Sequence, residues 1–165
     1  FVELGIESTN EETLKHVNRG HTFEETREAM IRLDEAGLPI GGHLILGLPG
    51  ETESMILSHA EEISKLPLSY LKLHQMQYVT GSELGEAYKN DPTRFKVFEV
   101  EEYLNLLINF LELLHPGIVI ERLSSQAPGH LLLAPGWGLK NFEITRMVQK
   151  KMKHLQTWQG RLYEN

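Results

Sequence analysis

Short apolar runs alternate with amphipathic stretches along most of this chain, and that alternation leaves few architectures open. Phe1 to Glu7 (FVELGIE) opens as a strand. Thr9 and Glu12 have capping-box spacing, so a short helix is expected there, stopping near Gly20; Thr22 and Glu25 repeat the signature. Ala29, Met30 and Leu33 mark one face of the helix that follows, which ends at Gly37 before Pro39. Ile40 to Leu46 reads as a buried strand, broken by Gly47-Leu48-Pro49-Gly50. A helix is expected from Glu53 to Lys65, with Ile56, Ala60 and Ile63 inward, and then a strand from Tyr70 to Tyr78. A turn-rich insertion holds Gly81, Gly85 and Pro92. Val100, Tyr103, Leu104, Leu107, Ile108, Leu111 and Leu114 recur at helical spacing up to His115-Pro116-Gly117. Ile118 to Glu121 and Leu131 to Leu133 read as strands, and a basic amphipathic helix spans Phe142 to Thr157.

Strand and helix in this order imply right-handed βαβ units, an α/β fold with parallel strands and outer helices. Such sheets carry their active sites at the carboxyl ends of the strands. The segments that matter are therefore Glu7-Ser8, Gly47 to Glu51, Gln75 to Thr80 and Glu121 to Gln126.

Composition narrows the chemistry. At 165 residues and 41% hydrophobic the chain suits one ordinary globular unit. No apolar run approaches the roughly 18–20 residues of a membrane span, and no signal peptide is expected. Phe1 opens directly into a strand, so the chain reads as a piece of something longer. Cysteine is absent, which removes disulfides, a thiolate nucleophile and any cysteine-ligated metal from this chain. The net charge of −7 argues against a wholly nucleic-acid-binding surface. Lys140 to Arg161, however, holds six Lys or Arg against the single acid Glu143. Its ordinary reading is a solvated helix face.

Each candidate residue carries an ordinary reading beside its functional one. Glu7 and Ser8 end the first strand; Glu7 could accept hydrogen bonds from a ribose diol, or could simply lead into a helix N-terminus. Arg19 before Gly20 could grip a ligand carboxylate, or neutralise a helix end. His43 lies within an apolar strand, where histidine is more often a core residue than a ligand. The eight histidines form no HExxH, so a histidine-based metal site is not expected. Gly47-Leu48-Pro49-Gly50-Glu51 has neither the lysine of a P-loop nor GxGxxG spacing, but ends a strand abruptly. Glu121-Arg122-Leu123-Ser124-Ser125-Gln126 and Ala134-Pro135-Gly136-Trp137-Gly138 could face a substrate or cap the barrel.

Together ELGIES (3–8), HVNRGH (16–21) and HLILGLPGET (43–52) resemble the second half of the radical S-adenosylmethionine (SAM) core. The likeness is to oxygen-independent coproporphyrinogen oxidase, the Elongator catalytic subunit and related bacterial Fe–S oxidoreductases, and is continuous from Phe1 to about Tyr78. ERL (121–123), APGW (134–137) and TWQG (157–160) resemble the tail of the last group. The resemblance implies the C-terminal portion of a partial (β/α)₆ TIM-like barrel. Residues 1–116 would be its second half, strands four to six with their helices, and 117–165 a C-terminal strand and basic helix extension. It further implies SAM as cofactor and a [4Fe–4S] cluster in the parent, whose CxxxCxxC ligands are missing from this chain.

By the same resemblance Glu7 falls at a ribose-contacting position commonly held by glutamine. Arg19, in Val17-Asn18-Arg19, matches an arginine that pairs with the SAM carboxylate. His43 stands where aspartate meets the ribose, Ile45 where an apolar residue touches adenine, and Gln77 near a backbone contact to adenine. Ser8 belongs to the same cofactor-binding set. The expected parent is a cytoplasmic enzyme that forms a 5′-deoxyadenosyl radical and abstracts hydrogen from a small-molecule or RNA substrate. This chain alone is expected to be inactive, to lack the N-terminal half of the same polypeptide, and to self-associate through open sheet edges. Two other classes stay open: an RNA-binding module acting through Lys140 to Arg161, marked by steep salt dependence, and an unrelated phosphate-binding barrel fragment.

Overall fold

The computed structural model describes residues 1–164. In chain order the elements are β1 (Val2–Glu7), α1 (Glu11–His16), α2 (Phe23–Glu35), β2 (Ile40–Leu46), α3 (Glu53–Ser64), β3 (Tyr70–Gln75), β4 (Tyr78–Val79), α4 (Glu83–Asn90), α5 (Val100–Leu113), β5 (Val119–Arg122), β6 (Leu132–Ala134) and α6 (Asn141–Leu155). A 3₁₀ turn, Pro92–Arg94, separates α4 from α5.

Four strands form one sheet in the order β1-β2-β3-β5, every neighbouring pair parallel. This is the α/β half-barrel that the alternation and the resemblance lead one to expect. Strand periodicity divides the sheet into two unlike faces. The outer face presents Ile6, Leu44, Leu46, Leu71 and Leu73, all fully buried against the helices. Met30 of α2, Ile56 and Ile63 of α3, Leu107 and Phe110 of α5, and Ile144 of α6 complete that core. The inner face carries Glu3, His43, Ile45, Lys72 and His74, none of them fully buried. β5 closes one edge, so the segment after Pro116 contributes to the main sheet as well as supplying α6.

Local chemistry moves several element boundaries. The capping box at Thr22 and Glu25 is present in full. At α1, however, the cap is Asn10, whose Oδ1 accepts the Thr13 N–H at 2.9 Å, because the Thr9 hydroxyl is already bonded to His59 Nδ1 at 2.7 Å. The helix ends at His16 and not near Gly20, because Asn18 turns left-handed at φ 54° and Arg19 N–H closes back on the Leu14 carbonyl. The strand expected to reach Tyr78 stops at Gln75. Both Gln75 and Gln77 turn their side-chain amides onto the Ser125 carbonyl, and Tyr78–Val79 leaves to pair antiparallel with β6.

The insertion expected to be turns is a helix, α4, capped by Ser82, whose hydroxyl accepts the Gly85 N–H at 3.0 Å. It packs with β4, β6 and the 3₁₀ turn around Tyr78, which stacks on Tyr88 at 4.6 Å and meets Phe95 edge-on. Burial pushes the Tyr78 phenol up to about 12. At the far end the chain returns to α5: Gly160 donates to the Leu111 carbonyl at 2.9 Å and Arg161 Nε to Glu112 at 2.8 Å. Among the described residues no helix is long and apolar enough to cross a membrane.

Candidate functional site

A cavity of about 500 Å³ opens at the carboxyl ends of β1, β2 and β3. Its polar lining is Glu7, His16, Asn18, His74, Gln77 and Glu83, over a floor that includes Ile45, Leu48 and Met76. That volume and mixed lining fit a ligand of nucleoside size.

Glu7 reaches the cavity because β1 ends in an irregularity: Gly5 pairs with His43, but Glu7 with Leu44, and Glu7 adopts φ 65°. Arg19 stands behind it. Its Nη2 donates to the Gly5 carbonyl at 3.0 Å and lies 3.6 Å from Glu7 Oε1. A β-carbon at Gly5 would sit 2.5 Å from Glu7 Oε1 and 2.6 Å from Arg19 Nη2, so glycine is what admits the pair. The Arg19 Nε is buried without a partner, leaving a donor uncommitted.

Burial pushes the Glu7 carboxyl above its ordinary range, with Arg19 opposing. A carboxyl raised on folding contributes stability below its unfolded pKa, and that contribution is lost as pH rises through the folded pKa. Glu7→Gln should therefore flatten the dependence of melting temperature on pH in the window just above 4.5, the ordinary value. Melting curves from pH 4 to 7 check this; an unchanged slope would show that Glu7 is not desolvated.

Ser8 lies outside the cavity. It is fully buried and donates to Glu51 Oε1 at 2.7 Å. Glu51 Oε1 also meets His59 Nε2 at 3.0 Å, and its Oε2 accepts the Leu48 N–H at 3.0 Å. Both side chains are almost wholly buried, at 0% and 1% exposure. The network ties the end of β1, the loop after β2 and α3 together, and the Ser8 hydroxyl is committed to it. His43 does face inward, but it pairs with Glu3, lower on the sheet. The register sets it opposite Gly5, not Glu7, so the two do not flank one site.

Glu7, Ile45 and Gln77 thus come together, with Arg19 adjoining; Ser8 and His43 do not. Sequence reasoning met Glu51, His16 and Asn18 only as members of motifs, without a role of their own, and passed over His59 and His74. His59 left a signal: it falls three residues after Ile56, on the inward stripe of α3, where a polar residue needs a partner. His74 donates from Nδ1 to the Gln75 carbonyl at 3.0 Å, which leaves Nε2 as an acceptor in the neutral ring. Burial lowers its pKa, with smaller contributions from Arg122 and His43, while the bond to Gln75 opposes. In the basic tail, Lys151 pairs with Glu101 and Arg161 with Glu112, so part of that charge is structural.

Residues 1–63 match the Radical SAM superfamily, and residues 68–154 the Radical_SAM C-terminal domain. An uncharacterized protein of Methanocaldococcus jannaschii is 31% identical over 161 residues, covering 97% of this chain and 49% of that protein. A tRNA uridine(34) acetyltransferase of Methanocaldococcus infernus is 28% identical over 155 residues, covering 92% of this chain and 28% of the relative. The solved structure of the archaeal Methanocaldococcus infernus Elp3 with an N-terminal deletion superposes with a TM-score of 0.82 at 25% identity, covering 95% of this chain and 36% of that one. The chain spans about half the length, or less, of these curated relatives.

Proposed function

The chain belongs to the radical SAM superfamily, and on that premise we propose that it is the SAM-binding half of a radical enzyme's barrel. The observation that carries this reading is the cavity at the strand ends, where Glu7, Ile45 and Gln77 meet beside Arg19. Its volume suits SAM, its floor suits an adenine ring, and the free Nε of Arg19 suits a carboxylate.

The same residues do not fit an iron–sulfur cluster. The chain has no cysteine, and among the described residues no group of three or more metal-ligating side chains gathers. In this reading the cluster is held by cysteines outside these residues.

Glu7, Ile45 and Arg19 would hold SAM, which with a cluster ligated elsewhere would supply radical chemistry for hydrogen abstraction. The work of this chain is binding and orientation. Glu7 accepts from the ribose hydroxyls, Ile45 and Leu48 exclude water from the base, and Arg19 holds the amino-acid carboxylate. The whole polypeptide is read as a cytoplasmic oxidoreductase, its substrate a small molecule or RNA. The outer edge of β1 has no strand beside it among the described residues, which supports pairing with the rest of the barrel or with a second copy.

Arg19 gives the test. Removing one partner of a charged hydrogen-bonded pair costs roughly 2–5 kcal/mol when truncation leaves the other buried and unpaired. In the full-length protein Arg19→Ala should weaken SAM at least about tenfold, the factor that 1.4 kcal/mol represents. Calorimetric titration measures it. Unchanged affinity with a lowered melting temperature would reduce Arg19 to a brace for the Gly5 carbonyl.

A further inference from the structure

Among the described residues, Arg122 takes part in no ion pair with its strand neighbours. It ends β5 at an irregularity: Leu71 pairs with Ile120, but the inward-facing Lys72 with Arg122, and the guanidinium lies close enough to inward-facing His74 to disfavour its protonation. The carboxylate next to it, Glu121, is turned to Lys72 Nζ at 3.3 Å, and Lys72 also holds Glu3. Two acids thus surround the lysine and none pairs with the arginine among the described residues. The Arg122 Nε is buried with no hydrogen-bond partner. An unpaired, partly desolvated guanidinium is costly unless a ligand completes it.

We propose that Arg122, with His74 beside it, is a binding site for an anionic group of the substrate, a carboxylate or a phosphate. The inference rests on the SAM reading only to the extent that it assigns this anion to a second ligand. Arg19 adjoins β1 and Arg122 ends β5, with β2 and β3 between them. Three strand spacings, roughly 14 Å, separate those two edges. The cavity lining runs from Glu7 of β1 to His74 of β3 and stops short of β5, so a cofactor held there leaves the β5 side to the substrate.

A planar guanidinium matches both oxyanions in bidentate fashion. The neutral His74 ring adds no competing charge, and its Nε2 takes up a proton when an anion arrives to balance it. The other ionisable groups facing this region are Glu3 and Glu7 of β1, His43 of β2, Lys72 of β3, Glu121 of β5, and His16 and Glu83 at the cavity rim.

The test uses the full-length protein and two probes, inorganic phosphate and acetate, at ionic strength held constant with chloride. The readout is the imidazole ¹⁵N signal of His74. Each probe that binds should shift that signal to saturation and raise the pH at which the ring titrates, since the anion cancels the field of Arg122. Comparison of the two arms assigns phosphate or carboxylate. Arg122→Gln should weaken the binding at least about tenfold, Arg122→Lys should weaken it less, and both should leave S-adenosylhomocysteine affinity unchanged. Equal phosphate binding by Arg122→Gln, or displacement of phosphate by S-adenosylhomocysteine, would overturn the assignment. Failure of the wild type to bind S-adenosylhomocysteine would sink the SAM reading, while the Arg122→Gln comparison still decides the anion site.

Discussion

Replacing Glu51 by alanine should destabilise the protein by about 3–5 kcal/mol, because hydrogen bonds to a carboxylate contribute roughly 1.5–3 kcal/mol each and several converge on this one. The carboxylate serves three donors at once: the Ser8 hydroxyl, His59 Nε2 and the Leu48 N–H. Alanine would leave the Leu48 N–H without its acceptor, and the Ser8 hydroxyl and His59 Nε2 with only each other at 3.5 Å; such losses are roughly 1–3 kcal/mol each and not additive because they share one acceptor. For a chain of this size each kcal/mol lowers the melting temperature by roughly 2–4 °C, so a fall of about 6–20 °C is expected. Glu51→Gln should fall between, since it keeps the shape but sets an amide donor among donors. A loss below about 1 kcal/mol for Glu51→Ala, measured by denaturant titration, would show that water replaces the carboxylate.

Gly47→Ala should cost nearly as much, for a different reason. Gly47 has φ 87°, and a β-carbon there would lie 2.3 Å from the Phe98 ring. The backbone conformation costs about 1–2 kcal/mol for an L-residue, and overpacking against a buried ring about 1–3 kcal/mol more. The two contributions can be separated. Phe98→Leu alone should destabilise, but in the Gly47→Ala background it should recover the steric part and leave the conformational part. Strictly additive losses in that double-mutant cycle would mean the ring moves aside freely. Because Leu48 follows directly and lines the cavity, Gly47→Ala should also weaken ligand binding.

Much of this fold was legible because its signals are local. The Thr22 and Glu25 capping box, the glycine after Leu46 and the apolar stripe of α5 act within a few residues, and the structure keeps them. α4 was hidden because Gly81, Gly85 and Pro92 read as turn residues. Gly85 is helical since helix and strand approach so closely that a β-carbon would meet the Val79 carbonyl at 1.8 Å. The site was legible only in part. Glu7 announces itself as a polar residue at a strand end, whereas the Ser8–Glu51 bond joins positions 43 apart in sequence. No spacing rule reaches that far. The surroundings of Ser8 and His43 were hidden for the same reason: each is engaged by a carboxylate, Glu51 or Glu3, whose position only the folded chain reveals.

The two apolar clusters have a consequence for how such a protein can diversify. The residues that hold the helices to the sheet lie on its outer face. Those under the cavity, Leu48 and Met76 with Ile45, Val17 and Leu84, form a separate group together with Tyr78 and Ala134. Substitutions in the second group can reshape what is bound while leaving the principal core nearly untouched, since effects at sites without shared partners are close to independent. Selection can therefore explore new ligands on one side of the sheet while the other side preserves the architecture, a division of labour through which one scaffold comes to serve many chemistries.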